Sequence, residues 1–229
     1  MHYYSYYGII AMLPVIILGL IVQANLKKTY SAYSKLGNSL SMNGAQMAEF
    51  ILKNAGIHDV QVNCIQGNLS DHYNPNTKTV NLSKQVYEGT TIAAIGVAAH
   101  ECGHAIQHHE AYFPLRVRSA AVGITNFSSR SLYFLILLSL IFSSYTFGAL
   151  IFDIAIVCYL VVFLFQLITL PVEFNASSRA IHIIDGAGFD STDVKGVRKV
   201  LTAAALTYVS AAVTALWQLL LMLNRRRRS

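Results

Sequence analysis

The sequence predicts a mainly α-helical integral membrane protein carrying a small α+β domain at the membrane surface. Three observations predict it. Apolar residues make up 54% of the 229 residues and charged ones 12%. Uncharged runs long enough to cross a bilayer recur. Between them the chain shifts to short segments with strand or helix periodicity. The formal net charge of +6 is not a nucleic-acid signal, because Arg225 to Arg228 cluster at the chain end and most other cations flank apolar runs, where they serve membrane anchoring. No nucleic-acid partner is expected. Cys64, Cys102 and Cys158 are odd in number and widely spaced, so no disulfide framework or paired-cysteine metal clip is expected.

Residues 1–26 are expected to be an uncleaved transmembrane anchor. Tyr3, Tyr4, Tyr6 and Tyr7 precede its apolar run at 8–24, and Lys27 and Lys28 follow it, which suits the two wet edges of a bilayer. A cleaved signal peptide would carry its positive charge in front and small residues at the cut. Residues 27–118 form the surface domain. Its first helix spans 41–56, with Asn43 as cap, an apolar stripe of Ala45, Met47, Ala48, Ile51 and Leu52, and Gly56 at the end. Val60, Val62 and Cys64 alternate with polar residues as in a strand, and D-H-Y-N-P-N-T-K-T-V-N-L-S at 71–83 predicts strand around a turn at Asn74–Thr77. Residues 85–109 return to helix.

Residues 119–170 are expected to form a transmembrane helical hairpin. From Leu132 to Leu170 the only charged side chain is Asp153, the run is too long for one crossing, and S-S-Y-T-F-G at 143–148 offers the turn. A helix over 171–200 follows, then an apolar helix and arginine-rich tail over 201–229.

V-A-A-H-E-C-G-H-A-I-Q-H-H at 97–109 contains His100-Glu101-Cys102-Gly103-His104, an H-E-x-x-H pattern. Four residues make about one helical turn, so His100 and His104 can aim two imidazoles at one zinc ion. Glu101 is offset around the helix, where its carboxylate can take a proton from a water that the metal has acidified toward pKa ~7 and pass it to a leaving amine. Gly103 leaves room beside the pair. A catalytic zinc needs a third protein ligand. His108 is excluded on a straight helix, since ~12 Å of rise separates it from His100 while two ligands of one zinc lie within ~4 Å. With His109 it is expected on the solvent or interfacial side. Glu173, in L-P-V-E-F-N-A-S-S-R-A at 170–180, stands where the second span of the hairpin leaves the bilayer, on the same side as the motif helix. It is the candidate third ligand.

These segments together are specific. A-A-H-E-C-G-H-A-I-Q-H, L-P-V-E-F-N-A-S-S-R-A, D-H-Y-N-P-N-T-K-T-V-N-L-S and A-A-A-L-T-Y-V-S-A-A at 203–212 resemble, in order and over essentially the whole chain, the neutral zinc metallopeptidases of bacterial membranes, the YugP-like group. The resemblance implies a membrane-embedded zinc endopeptidase with one Zn2+ per chain. His100, His104 and Glu173 would be its ligands, Glu101 its catalytic carboxylate, and the bilayer and a membrane-protein or peptide substrate its partners. The chain is more distantly similar to HtpX-type membrane peptidases. There an aspartate four residues after the zinc glutamate orients a ligand histidine; here that position is Ser177, which can hydrogen-bond but brings no charge. Asn175 is a second candidate to steady the ligands. Arg179, His182 and Tyr208 are candidates to stabilise a developing oxyanion. Asp71, His72, Tyr73 and Asn74 could offer a strand edge to an extended peptide.

Two rival expectations stand beside this one. An intramembrane site-2-type metalloprotease would take Asp185 as third ligand, although the apolar run before His100 covers too few residues to span. A catalytically silent zinc-binding scaffold would keep the ligands without turnover. A transporter is disfavoured, because the hairpin carries no intramembrane charge pair. Lys27, Lys28, Lys35, Arg116, Arg118 and Arg179 put the zinc site on the cytoplasmic face of the bacterial inner membrane. The same rule would keep Arg225 to Arg228 inside, so the last helix is expected to lie at the interface without fully crossing.

Overall fold

The structure is a computed structural model that describes residues 2–227, with side chains over 10–227. The side chains of Tyr3, Tyr4, Tyr6 and Tyr7, and all of Arg228, lie outside the described residues. In chain order the elements are α1 (His2–Tyr33), α2 (Gly44–Asn54), β1 (Gln61–Ile65), β2 (His72–Asn74), β3 (Thr79–Ser83), α3 (Lys84–Tyr87), α4 (Ile92–His109), α5 (Phe113–Ile141), α6 (Thr146–Gly186) and α7 (Ser191–Arg226). The protein is thus mainly α-helical with one small sheet. It divides into two compact units.

The first unit comprises 1–21, 117–170 and 208–229. It is built from stretches of α1, α5, α6 and α7, four helices long and apolar enough to cross a membrane. Their large apolar side chains point outward: Leu20, Phe127, Phe134, Val157 and Leu220 are all exposed. Helices satisfy their own backbone hydrogen bonds, which is what a lipid environment demands, and lipid can cover side chains that water would expel. The protein is a membrane protein. Inside this unit Leu132, Phe152, Ala155 and Met222 form a small buried cluster. Arg226 at the end of α7 makes a bidentate ion pair with Asp153 near the start of α6. The Trp217 indole N–H donates to the Ala11 carbonyl of α1 at 2.6 Å.

Two sequence expectations change here. α5 begins at Phe113, and α6 runs unbroken for 41 residues through Pro171. The third-ligand segment is therefore the continuation of a membrane helix, not a helix of its own. α7 starts at Ser191, ten residues before the apolar run, and at 36 residues it is long enough to cross. The expectation of a last helix at the interface rests on the charges of Arg225 to Arg228; the helix itself is long and apolar enough to cross.

The second unit comprises 22–116 and 171–207. α2 begins with a full capping box: the Asn43 side chain accepts from the Gln46 N–H, and the Gln46 side chain accepts from the Asn43 N–H. It ends at Ala55, and Gly56 takes φ +69°, a conformation that suits glycine. The sheet has order β1-β3-β2. β2 and β3 form the expected hairpin, pairing His72 with Asn81 and Asn74 with Thr79. β1 pairs with β3 in parallel, Gln61 with Thr79 through Ile65 with Ser83. The segment expected as one helix over 85–109 is two, α3 and α4, interrupted at 88–91. That interruption is tied down: the Asn38 side chain donates to the Thr90 carbonyl at 2.7 Å, and the Ile92 N–H donates to the Leu36 carbonyl at 2.9 Å. The core gathers Met47, Ile51, Leu82, Val86, Ile95, Ala99, Cys102, Ile184 and Val197, each at 1% exposure or less. α4 crosses its centre.

Candidate metal centre

α4 is small-residue rich on the side that enters the core, and its Thr91 cap accepts from the Ala94 N–H at 3.2 Å. Of its eighteen residues, fourteen are buried. Such a helix can lie close to a neighbour. Gly103 uses that freedom, because a Cβ there would come within 2.8 Å of the Ala176 carbonyl oxygen on α6. The glycine's role is therefore to let the backbone of α6 approach α4, rather than only to leave room beside the histidines. The close approach sets Glu173, three residues before Ala176, opposite His100 and His104.

The three side chains converge. Glu173 Oε2 lies 3.3 Å from His100 Nε2 and 3.6 Å from His104 Nε2. One ligand atom from each of the three residues lies within 4.8 Å of the others. Both imidazole–carboxylate separations fall inside the ~4 Å that two ligands of one zinc share. Glu173 is 2% exposed. The two rings meet edge to face, with centroids 4.8 Å apart.

The far nitrogens of both rings are engaged. His100 Nδ1 lies 3.2 Å from the Ser177 hydroxyl, and His104 Nδ1 lies 3.0 Å from Gln107 Oε1. A neutral imidazole with its proton on Nδ1 presents a lone pair on Nε2. At His104 that lone pair would meet a carboxylate oxygen, an arrangement that calls for a cation between them. Burial pushes the His104 pKa down, but its contact with Glu173 and the nearby charge of Glu101 outweigh this and raise it overall. Without a metal, the proton takes the cation's place. The donor set, two imidazole nitrogens and one buried carboxylate, fits a zinc ion with a coordination position left over.

Glu101 is buried on α4, and its Oε2 accepts the Tyr73 backbone N–H at 2.9 Å. Tyr73 lies on β2, an outer strand of the sheet, and its hydroxyl also reaches His108 Nδ1 at 2.8 Å. The strand edge and the motif helix are thus fastened together through Glu101 and His108. The other residues of the proposed substrate edge are used locally. Asp71 accepts from the Ser83 N–H at 2.7 Å, His72 Nδ1 meets the Ser70 carbonyl, and Asn74 caps the hairpin turn by accepting from Asn76 and Thr77.

His109 is exposed and His108 half-buried against Tyr73. Arg179 donates to Asn175 Oδ1 at 2.7 Å and to Glu110 at 2.7 Å. Asn175 also accepts from Gln107 Nε2 at 2.9 Å. His182 is exposed on α6, and Tyr208 falls on α7 in the membrane unit. Asp185 is exposed and twelve residues beyond Glu173, ~18 Å of helical rise away, so it is Glu173 that the histidine pair meets. Gln107 was not singled out in the sequence. It sits in Q-H-H-E and reads there as the polar end of a helix, yet it is fully buried.

Cys102, between the two motif histidines, is fully buried, and its thiol donates to the Ala48 carbonyl at 3.7 Å. Burial and the Glu101 charge push its pKa far up, so it is a core residue rather than a thiolate ligand. The three cysteines are all free.

No solved structure matches this chain. Over residues 8–227 it matches the model of a family described as "Putative neutral zinc metallopeptidase". It is 44% identical over 199 residues to a Bacillus subtilis (strain 168) protein named "Putative membrane protease YugP", covering 86% of this chain and 87% of that relative. The paired histidines, the buried carboxylate that meets them and the four apolar helices agree with both, and the chain belongs to this neutral zinc metallopeptidase family.

Proposed function

We propose that the protein is a membrane-embedded zinc metalloendopeptidase that binds one Zn2+ per chain through His100, His104 and Glu173. The observation that carries this reading is the convergence of those three side chains with Glu101 beside them. Zinc, when bound, supplies Lewis-acid polarisation of the scissile carbonyl and acidifies a water. Glu101 takes the proton of the attacking water and delivers it to the leaving amine. Its buried position beside two ligand histidines supports that role. β2 offers its open edge to an extended substrate segment, so recognition draws on main-chain hydrogen bonds and demands little of sequence. The Tyr73 N–H that now meets Glu101 would be one of its donors. Substrates are membrane proteins or their exposed segments.

The site faces the cytoplasm at the bacterial inner membrane. Lys27, Lys28, Lys35, Arg116, Arg118 and Arg179 support this orientation against the terminal arginines, of which Arg226 is already paired with Asp153. With four crossings the C-terminus then lies on the outer side. Cys64 is exposed in the surface unit and is a natural reporter. In oriented vesicles, an impermeant maleimide applied from outside is expected to label Ser229→Cys and spare Cys64; the reverse pattern would invert the assignment.

Activity is tested in detergent with native and Glu101→Gln protein side by side, measuring zinc content and cleavage of unfolded membrane-protein substrates. Both are expected to hold zinc, and only the native protein to cleave. Equal cleavage by the Glu101→Gln protein would remove Glu101 from the reaction. Zinc binding with no cleavage by either would favour a silent zinc-binding scaffold.

A further inference from the structure

Gln107 is the one large polar side chain at 0% exposure in the described structure, and nothing in the reaction proposed above uses it. Its amide spans α4 and α6. Oε1 faces His104 Nδ1 at 3.0 Å, while Nε2 donates to the Val172 carbonyl at 2.8 Å and to Asn175 Oδ1 at 2.9 Å. The polarity of this chain is fixed from its ends. A backbone carbonyl can only accept. Arg179 can only donate, and its Nε–H to Asn175 at 2.7 Å requires the oxygen of that amide to face inward. Both amide protons of Gln107 are therefore consumed by acceptors. Its oxygen is left toward His104, where it can only accept the Nδ1 proton.

We propose that Gln107, aligned by the Val172 carbonyl and by the Arg179–Asn175 pair, is the positioning residue that holds His104 with Nε2 free for the metal. This rests on the metal-site reading above. The two ligand histidines are then supported differently. His100 meets a serine hydroxyl, which can donate or accept; His104 meets an amide whose direction is set by three other groups. Neither support is a carboxylate, so the rings are oriented without a negative charge behind them. The Arg179–Glu110 ion pair, at 2.7 Å with Arg179 one-quarter exposed, closes the chain at the surface. This gives Arg179 a job behind the ligands.

The test is zinc affinity of the purified full-length protein in detergent, by competition with a chelator, with the thermal stability of the metal-free protein recorded in parallel. Gln107→Met keeps the side-chain length and removes both hydrogen-bonding ends; zinc affinity is expected to fall about 10- to 100-fold. Asn175→Asp keeps an acceptor for both Gln107 and Arg179 and is expected to stay within about threefold of native affinity. Asn175→Leu removes that acceptor and is expected to bind several-fold more weakly than Asn175→Asp. Should Gln107→Met fail to fold, the Asn175 pair still decides, because neither variant touches a ligand. Native zinc affinity in Gln107→Met, or equal affinity in the two Asn175 variants, would overturn the proposal. Failure of the native protein to bind zinc would instead sink the metal-site reading.

Discussion

The two units solve the same problem, what to do with apolar surface, in opposite ways. In the surface unit the apolar side chains face one another, and the buried polar groups of the site meet specific partners: Ser177 on His100, Gln107 on His104 and the Tyr73 N–H on Glu101. In the membrane unit many large side chains face outward, and the buried cluster around Phe152 and Ala155 is small. One unit is specified by contacts, the other by length and composition. Substitutions of one chemical kind should therefore act differently in the two.

The largest contrast is expected for core truncation. Ile95 is fully buried among the residues that carry α4, and Ile95→Ala should cost about 2–5 kcal/mol in reversible unfolding monitored by circular dichroism. A pair of glycines sharpens the comparison by changing sign. Gly103→Ala drives a Cβ to within 2.8 Å of the Ala176 carbonyl and should cost about 1–3 kcal/mol. It should also weaken zinc binding, because α6 carries Glu173. Gly123→Ala on α5 meets nothing within 4 Å and should leave stability unchanged or raise it by up to about 1 kcal/mol. A destabilising Gly123→Ala would show that lipid-facing helix surfaces are as tightly specified as the core.

A pH effect is expected in the surface unit. The His104 pKa is raised from its ordinary 6.5, so in the metal-free protein its stabilising contribution is full below pH 6.5 and is lost as pH rises through the raised value. Zinc binding runs the other way, since the ligand must lose that proton. Chelator-treated protein should melt higher at pH 6 than at pH 8, and zinc should raise the melting temperature more at pH 8. His104→Gln should remove both differences. The smallest effect is expected at Leu20, 66% exposed on α1: Leu20→Ala should change stability by no more than about 0.5 kcal/mol.

Legibility in the sequence divides along a different line. His100, Glu101 and His104 were readable because one helical turn fixes their relation. Glu173 was readable because a short hairpin must return the chain to the side it left. The paired β2–β3 hairpin and the α2 caps were likewise local patterns. What escaped depends on distant partners. The parallel pairing of β1 with β3 has no local signature. The break at 88–91 is imposed by Asn38, some fifty residues earlier in the chain. Gln107 looked like surface because nothing nearby shows that Val172 and Asn175 cover it. The start of α7 at Ser191 escaped because its polar first ten residues, which belong to the surface unit, do not resemble the apolar run that follows.

The central claim is that the motif histidines share their ion with the carboxylate of α6. Zinc content per chain, measured by atomic absorption after dialysis, tests it in native, Glu173→Ala and Asp185→Ala proteins. The native and Asp185→Ala proteins should retain one zinc each, and Glu173→Ala should retain almost none while keeping its helical circular dichroism. Full zinc retention by folded Glu173→Ala protein would contradict the site described above.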